Sequence, residues 1–208
     1  MSNGMKKRDI IASLICGEIA SWFLILILTN PKFEEAATLA ALKNVIWYLP
    51  IILPIIFLIG IWLASLLGKL IKVIYQFIKF AETGVLNTFI DMGILSLLSG
   101  LTGITSGAWL VPLNTVSFFC ATTNSYYWNK WWTFQRGKGM VGKEFFQFFI
   151  ITIIGWGINT GLLVLITTFV IPIVSMSPGA WLLSAKVIAT FVSMCWNFLG
   201  YKFIVFKK

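Results

Sequence analysis

Residues 84–110 read GVLNTFIDMGILSLLSGLTGITSGAWL, and residues 156–182 read WGINTGLLVLITTFVIPIVSMSPGAWL. Laid over one another at an offset of 72 residues, they pair Asn87-Thr88 with Asn159-Thr160, and Gly107-Ala108-Trp109-Leu110 with Gly179-Ala180-Trp181-Leu182. The matches run outward without a gap: Phe119 with Phe191, Lys130 with Lys202, Phe134 with Phe206. Two matching tetrapeptides within such a row exceed what chance gives, even in apolar sequence, and mark a duplicated unit. Each unit has one apolar stretch before its GAWL and one after it, so each predicts two membrane helices. An even number of spans returns the chain to its starting side. The copies are therefore expected to share one orientation, related by a pseudo-two-fold axis along the membrane normal, with a substrate path between them. Trp109 and Trp181 are expected as interfacial anchors at the outer start of each second helix. Each unit ends in a basic, aromatic stretch, NKWWTF (129–134) and YKFIVF (201–206).

Outward from the repeat, the whole chain has the same character. Its 208 residues are 59% hydrophobic and 11% charged, against about 25% charged in a soluble domain. Too little polar surface remains to cover a water-soluble globule, so the sequence predicts an all-α integral membrane protein. A membrane helix needs about 20 mostly apolar residues. Six stretches qualify: 10–29, 45–67, 81–101, 109–129, 147–171 and 180–203. All but three of the 16 basic residues flank these spans on one side; the exceptions are Lys32, Lys43 and Lys186. The positive-inside rule then places both termini in the cytoplasm. The basic start and apolar first stretch also resemble a secretory signal, but the stretch exceeds a usual signal core and its loss would spoil the even count. Pro50 and Pro54 are expected to kink the second span, which membrane helices tolerate. Lys69, Lys72, Gln76 and Lys79 recur at helical spacing, predicting a short interfacial helix over 69–80. The expected organisation is thus a helix pair over 1–68, that interfacial helix, and a four-helix domain over 81–208.

Several chemistries are excluded at once. The chain has no histidine, which removes imidazole acid–base catalysis and His metal sites. Its seven acidic residues are scattered and form no catalytic or metal-binding couple. Cys16, Cys120 and Cys195 lie in apolar stretches without a CxxC, as core- or lipid-facing residues do. The net charge of +9 follows from lysines at span ends, so membrane topology accounts for it and nucleic acid does not. No enzyme activity, metal or cofactor is expected.

Beyond the repeat, residues 76–208 resemble the GtrA-like family. The resemblance rests on Lys79-Phe80, Gly84, Asn87-Thr88 and Asp91. It rests also on Asn129-Lys130-Trp131-Trp132-Thr133-Phe134, and on Lys186 followed by Asn197-Phe198. It implies four membrane helices that carry a polyprenyl-phosphate-linked monosaccharide to the outer leaflet, where glycosyltransferases use it on O-antigen, teichoic acid or related polymers. The chain departs from the pattern in three places. Residues 1–68 lie outside it, Glu82 stands where the family usually has an aliphatic residue, and Asn124-Ser125 stand where it often has a single Asn.

The candidate substrate-binding residues are Asn87, Asp91, Asn129, Lys130, Lys186, Asn197 and Lys202. Lys186 lies five residues after Trp181, about 7–8 Å along a helix. It is expected to meet the lipid phosphate, or else to snorkel outward; its repeat partner is the polar Asn114. Asp91 lies about 18 Å beyond Lys79, with Asn87 one turn earlier on the same face. Sugar recognition and a structural pair with Lys186 both fit it. Asn129 and Asn197 can meet a phosphate or join helices. Lys130, Lys202 and Arg136 suit anionic headgroups or capture of the lipid phosphate. Trp128, Trp131, Trp132 and Phe134 suit an aromatic belt or the flanks of a sugar ring. Glu18, mid-span in the first helix, has no assigned partner. These groups form three expected depths: Lys130 and Lys202 inside, Asn87 and Asp91 midway, Lys186 outside.

Three functions follow from these features. The first is a flippase for a polyprenyl-phosphate-linked sugar, acting with the glycosyltransferases of its pathway and open to homo-oligomer formation through its narrow bundle. The second is a non-catalytic membrane subunit that anchors a polyprenyl-phosphate glycosyltransferase. The third is a small-molecule exporter coupled to protons through Asp91 or Glu18. No GxxxxGK[ST] occurs, so transport would be downhill or gradient-coupled. The expected location is a prokaryotic plasma membrane.

Overall fold

A computed structural model of the chain describes residues 5–30, 43–68, 72–133, 143–200 and 204; at 43, 44, 72–74, 129, 130, 143–145, 148 and 198 it describes the backbone alone. Regular structure among these residues is entirely helical. In chain order the helices are α1 (Lys7–Leu28), α2 (Lys43–Ile46), α3 (Leu49–Leu67), α4 (Lys72–Thr102), α5 (Leu110–Trp128), α6 (Lys143–Phe169) and α7 (Pro178–Gly200). A π-helical turn, Asn129–Thr133, continues α5. The six long helices correspond to the six expected spans. Helix formation answers the lipid: away from the helix ends and prolines, the backbone N–H and C=O groups find partners within their own segment.

Five of the six long helices are long and apolar enough to cross a membrane. The exception, α5, has 19 residues, about 28 Å of helix, but is polar along one side. Asn114 and Ser117 of that side are buried. Polarity here reflects what α5 touches inside the bundle. On α3 the opposite holds. Ile51, Ile55, Ile59, Trp62 and Leu66 recur at helical spacing and are exposed, an apolar stripe that only lipid covers without cost.

One expected element differs. Residues 72–80 do not form a separate interfacial helix; they are the first turns of α4, which runs unbroken to Thr102. Lys79 is buried and does not face headgroups. A polar stripe at helical spacing serves equally for an interfacial helix and for a bundle helix with a polar partner, and α1 is that partner.

Along α1 and α4 three contacts run in register. Asp9 meets Lys79, Ser13 meets Glu82, and Asn30 meets Ser96. The two helices therefore run in the same direction. Against α3, Gly17 lets α1 approach closely: a Cβ there would sit 2.5 Å from Pro54 Cα. α4 pairs with α5, and α6 with α7. The turn after α4 holds Gly103 and Gly107, both at φ +78°, a conformation that only glycine adopts at no steric cost. Gly107 N–H donates to Thr168 Oγ1 at 2.9 Å, tying this turn to the last turns of α6. Leu110 and Leu182, matched in the repeat, are both fully buried in a cluster with Leu95, Leu163, Ala185 and Ala189. Trp109 is exposed, while the indole N–H of Trp181 is buried without a hydrogen-bond partner.

Candidate functional site

Lys186 is 0% exposed. Its ammonium is held by one side chain from each of the other three helices of the C-terminal four. Asp91 of α4 accepts at 2.8 Å, Asn159 of α6 at 3.1 Å, and Asn114 of α5 accepts as well. An ammonium has three protons, and three oxygens meet them. A second ring of bonds orients those oxygens. Ser117 donates to the other Asp91 oxygen at 2.6 Å. Asn114 donates to Asn159 Oδ1 at 3.1 Å and to Thr160 at 2.9 Å. Asn159 donates toward Thr190 and Ser193, both at 3.4 Å. A buried charge persists only when paired and hydrogen-bonded in this way.

This geometry corrects the expected depths. Lys186 does not snorkel outward, and it does not form a level apart from Asp91. α7 begins at Pro178, so Lys186 lies about 12 Å along the helix, and its long side chain reaches the level of Asp91. Counting from Trp181 placed it too shallow. Sequence reasoning also left Asn114, Asn159, Thr160 and Ser117 out of the site. The repeat carried a signal for the first two: Asn114 is the counterpart of Lys186, and Asn159 that of Asn87. Lys186 and Asn114 touch across the offset of 72 residues.

Asn87 is not part of this cluster. It accepts from Asn124 at 2.6 Å, and Asn124 in turn accepts from the Trp128 indole at 3.1 Å. Asn197 is separate again. It packs on Gly155, where a Cβ would lie 2.4 Å from its Oδ1, and that buried oxygen has no hydrogen-bond partner. Asn129 and Lys130 open the π-helical turn, with only their backbone described. Lys202, Arg136 and Phe134 lie outside the described residues.

A second buried cluster joins α1 to the four-helix domain. The Asp9 carboxylate accepts from Lys79 at 2.6 Å, Tyr75 at 2.8 Å and Trp132 at 3.0 Å. Lys79 and Asp9 are both almost wholly buried. Glu82 accepts from Ser13 at 2.8 Å, and a Cβ on Gly60 of α3 would stand 3.4 Å from its other oxygen. Glu82 therefore faces the N-terminal helices. Glu18 accepts from Trp22 one turn on at 2.8 Å, a contact within α1.

Residues 79–206 match the GtrA/DPMS transmembrane domain. The chain belongs to the GtrA/DPMS family. It is a membrane protein of the lipid-linked sugar translocase family, and the matched region holds Lys186 and its partners Asp91, Asn114 and Asn159. The chain is also 33% identical over 128 residues to the uncharacterized membrane protein YngA of Bacillus subtilis (strain 168). That stretch covers 62% of this chain and 77% of the relative. No solved structure matches the chain. Asp9 and the whole of α1 and α3 lie before the matched region, and Glu82 faces them.

Proposed function

We propose that this protein is a flippase that moves a polyprenyl-phosphate-linked monosaccharide from the inner to the outer leaflet, supplying glycosyltransferases that decorate cell-wall or surface polysaccharide. The observation that carries the reading is the Lys186 ammonium, held by one polar side chain from each neighbouring helix. The task is to pass a phosphate and a sugar through about 30 Å of hydrocarbon while the prenyl tail stays in lipid. A phosphate alone at that depth costs many kcal/mol; a cation there offsets most of it. Asp91 occupies the cation. A transiting phosphate would share the ammonium with Asp91, which keeps its bond from Ser117. Asn114, Asn159 and Thr160 then offer amide and hydroxyl groups to the sugar.

The seam between the α4–α5 and α6–α7 hairpins supports the same reading. Polar bonds cross it, from Lys186 to Asp91 and Asn114 and from Asn114 to Asn159 and Thr160. The same seam also holds the apolar cluster of Leu95, Leu110, Leu163 and Leu182; the polar bonds are the part of it that can be exchanged for those of a headgroup. The basic bias of the span ends puts the start of α1 and the end of α5 in the cytoplasm, so loading occurs there. No residue is assigned a chemical step.

The test uses liposomes holding the purified protein alone and a labelled polyprenyl-phosphate glucose. Exposure of label to an impermeant reagent, well above protein-free liposomes, is the expected result. Exposure no greater than in protein-free liposomes, across several sugars, contradicts the reading and favours a subunit that anchors a glycosyltransferase.

A further inference from the structure

Where α1 begins and α5 ends, a cavity of about 420 Å³ is lined by Arg8, Ala12, Tyr127, Trp128, Trp131 and Trp132. Small-molecule sites span roughly 300–1,000 Å³. We infer that this cavity is the loading site for the phosphosugar headgroup, and that the N-terminal helix pair exists in part to complete it. The inference rests on the flippase reading and adds the place where the substrate is first held.

Four observations converge. First, the rings form ordered walls: Tyr127 and Trp131 stack at 5.0 Å and 35°, and Trp128 meets Trp132 edge-on at 5.7 Å. Flat indole faces carry partial negative charge, which suits the C–H face of a sugar ring. Second, the walls are fixed from behind. Trp132 is 2% exposed and spends its N–H on Asp9, while Trp128 spends its N–H on Asn124. A belt tryptophan at a lipid surface would instead keep its N–H for water. Third, Arg8 is exposed at the cavity beside Lys6 and Lys7. A planar guanidinium is the side chain best matched to two phosphate oxygens. Fourth, the cavity abuts a polar route. Trp128 bonds Asn124, Asn124 bonds Asn87, and Asn87 lies one turn from Asp91, the partner of Lys186.

The cation at this site comes from α1, outside the residues matched to the family. Asp9 makes the arrangement hold. Its carboxylate gathers Lys79, Tyr75 and Trp132, which docks the first turn of α1 and so sets Arg8 across from the tryptophans.

The test is calorimetric titration of the intact detergent-solubilised protein with a short-chain prenyl-phosphate glucose. Prenyl phosphate without sugar and the neutral prenol serve as the other arms. Arg8→Gln and Trp131→Ala change exposed side chains and should keep the parent's thermal unfolding midpoint. Each is expected to weaken glucose-conjugate binding by about tenfold or more. Arg8→Gln should also weaken prenyl phosphate, and neither variant should alter prenol. Parent-like binding in both variants overturns the inference, as does prenol binding that depends on Trp131, which would make the cavity a tail pocket. The liposome assay separates the two readings. Parent-like transport and binding in both variants removes the loading site and leaves the flippase. Arg8-dependent binding by a protein that exposes no lipid keeps the site and removes the flippase.

Discussion

At Lys186, three oxygens on three helices satisfy three ammonium protons, and the consequence of disturbing them is asymmetric. Lys186→Ala leaves the Asp91 carboxylate buried with only Ser117. Removing one partner of a buried pair costs about 3–5 kcal/mol, whereas replacing both by apolar groups of similar size is often neutral or stabilising. Lys186→Ala is therefore expected to lower the thermal unfolding midpoint in detergent sharply. Lys186→Met combined with Asp91→Leu is expected to restore most of it. The single variant thus confuses loss of fold with loss of function, and the double variant separates them. Both charged residues were legible in the sequence as intramembrane charges, because such groups are too costly to be incidental. Their pairing was one of two open readings, and their common depth was not legible. Residue spacing along a helix fixes the depth of a Cα, and a lysine side chain reaches about a full helical turn beyond its own Cα. The amides of Asn114 and Asn159 were visible only as repeat counterparts. A neutral amide gives no compositional signal, and its value here comes from which helix it faces.

At the scale of elements, an ionic cluster fastens α1 to α4, and a close approach fastens α1 to α3. Asp9→Asn leaves the buried Lys79 ammonium without its carboxylate. It is expected to cost about 3–5 kcal/mol, with Asp9→Leu plus Lys79→Met recovering only part of that loss, because Tyr75 and Trp132 then lose their acceptor; denaturant titration in detergent checks both. At the other contact, Gly17→Val places methyl groups where a Cβ already stands 2.5 Å from Pro54 Cα. Overpacking of this kind costs about 1–3 kcal/mol. A loss of disulfide cross-linking between cysteine pairs placed on α1 and α3 would register the separation, and unchanged cross-linking would contradict it. Helix boundaries were readable because lipid demands continuous apolar segments, and these dominate the composition. The join of 72–80 to the next helix was not. Lys79 and Gln76 give the same periodicity whether the polar side meets headgroups or Asp9. The partner lies 70 residues away in the chain, and nothing local to α4 announces it. Glu82 departs from the pattern that the chain resembles, and it bonds Ser13 of α1, a helix outside the matched residues.

For the whole molecule, the account requires the start of α1 and the turn after α4 to face opposite sides of the membrane. With Cys16, Cys120 and Cys195 replaced, an impermeant maleimide applied to intact cells should label Ser106→Cys and not Lys6→Cys. Both are exposed positions at opposite ends of the bundle. Labelling of Lys6→Cys alone would invert the topology, and with it the direction of loading. The repeat was the sequence feature that reached furthest at this scale, since it set the four-helix unit before any contact was known. It was silent on the N-terminal pair, which has no counterpart within it, and so on the cavity that α1 closes.

The central claim is that a headgroup crosses by way of the Lys186 ammonium. It is tested most directly by transport in liposomes holding the Lys186→Met, Asp91→Leu protein, with its unfolding midpoint measured on the same preparation. The account predicts a folded protein whose exposure of labelled polyprenyl-phosphate glucose falls to that of protein-free liposomes, beside a parent that exposes it rapidly. Parent-like exposure by the folded double variant would show that the buried pair only holds the bundle together and that the headgroup travels elsewhere.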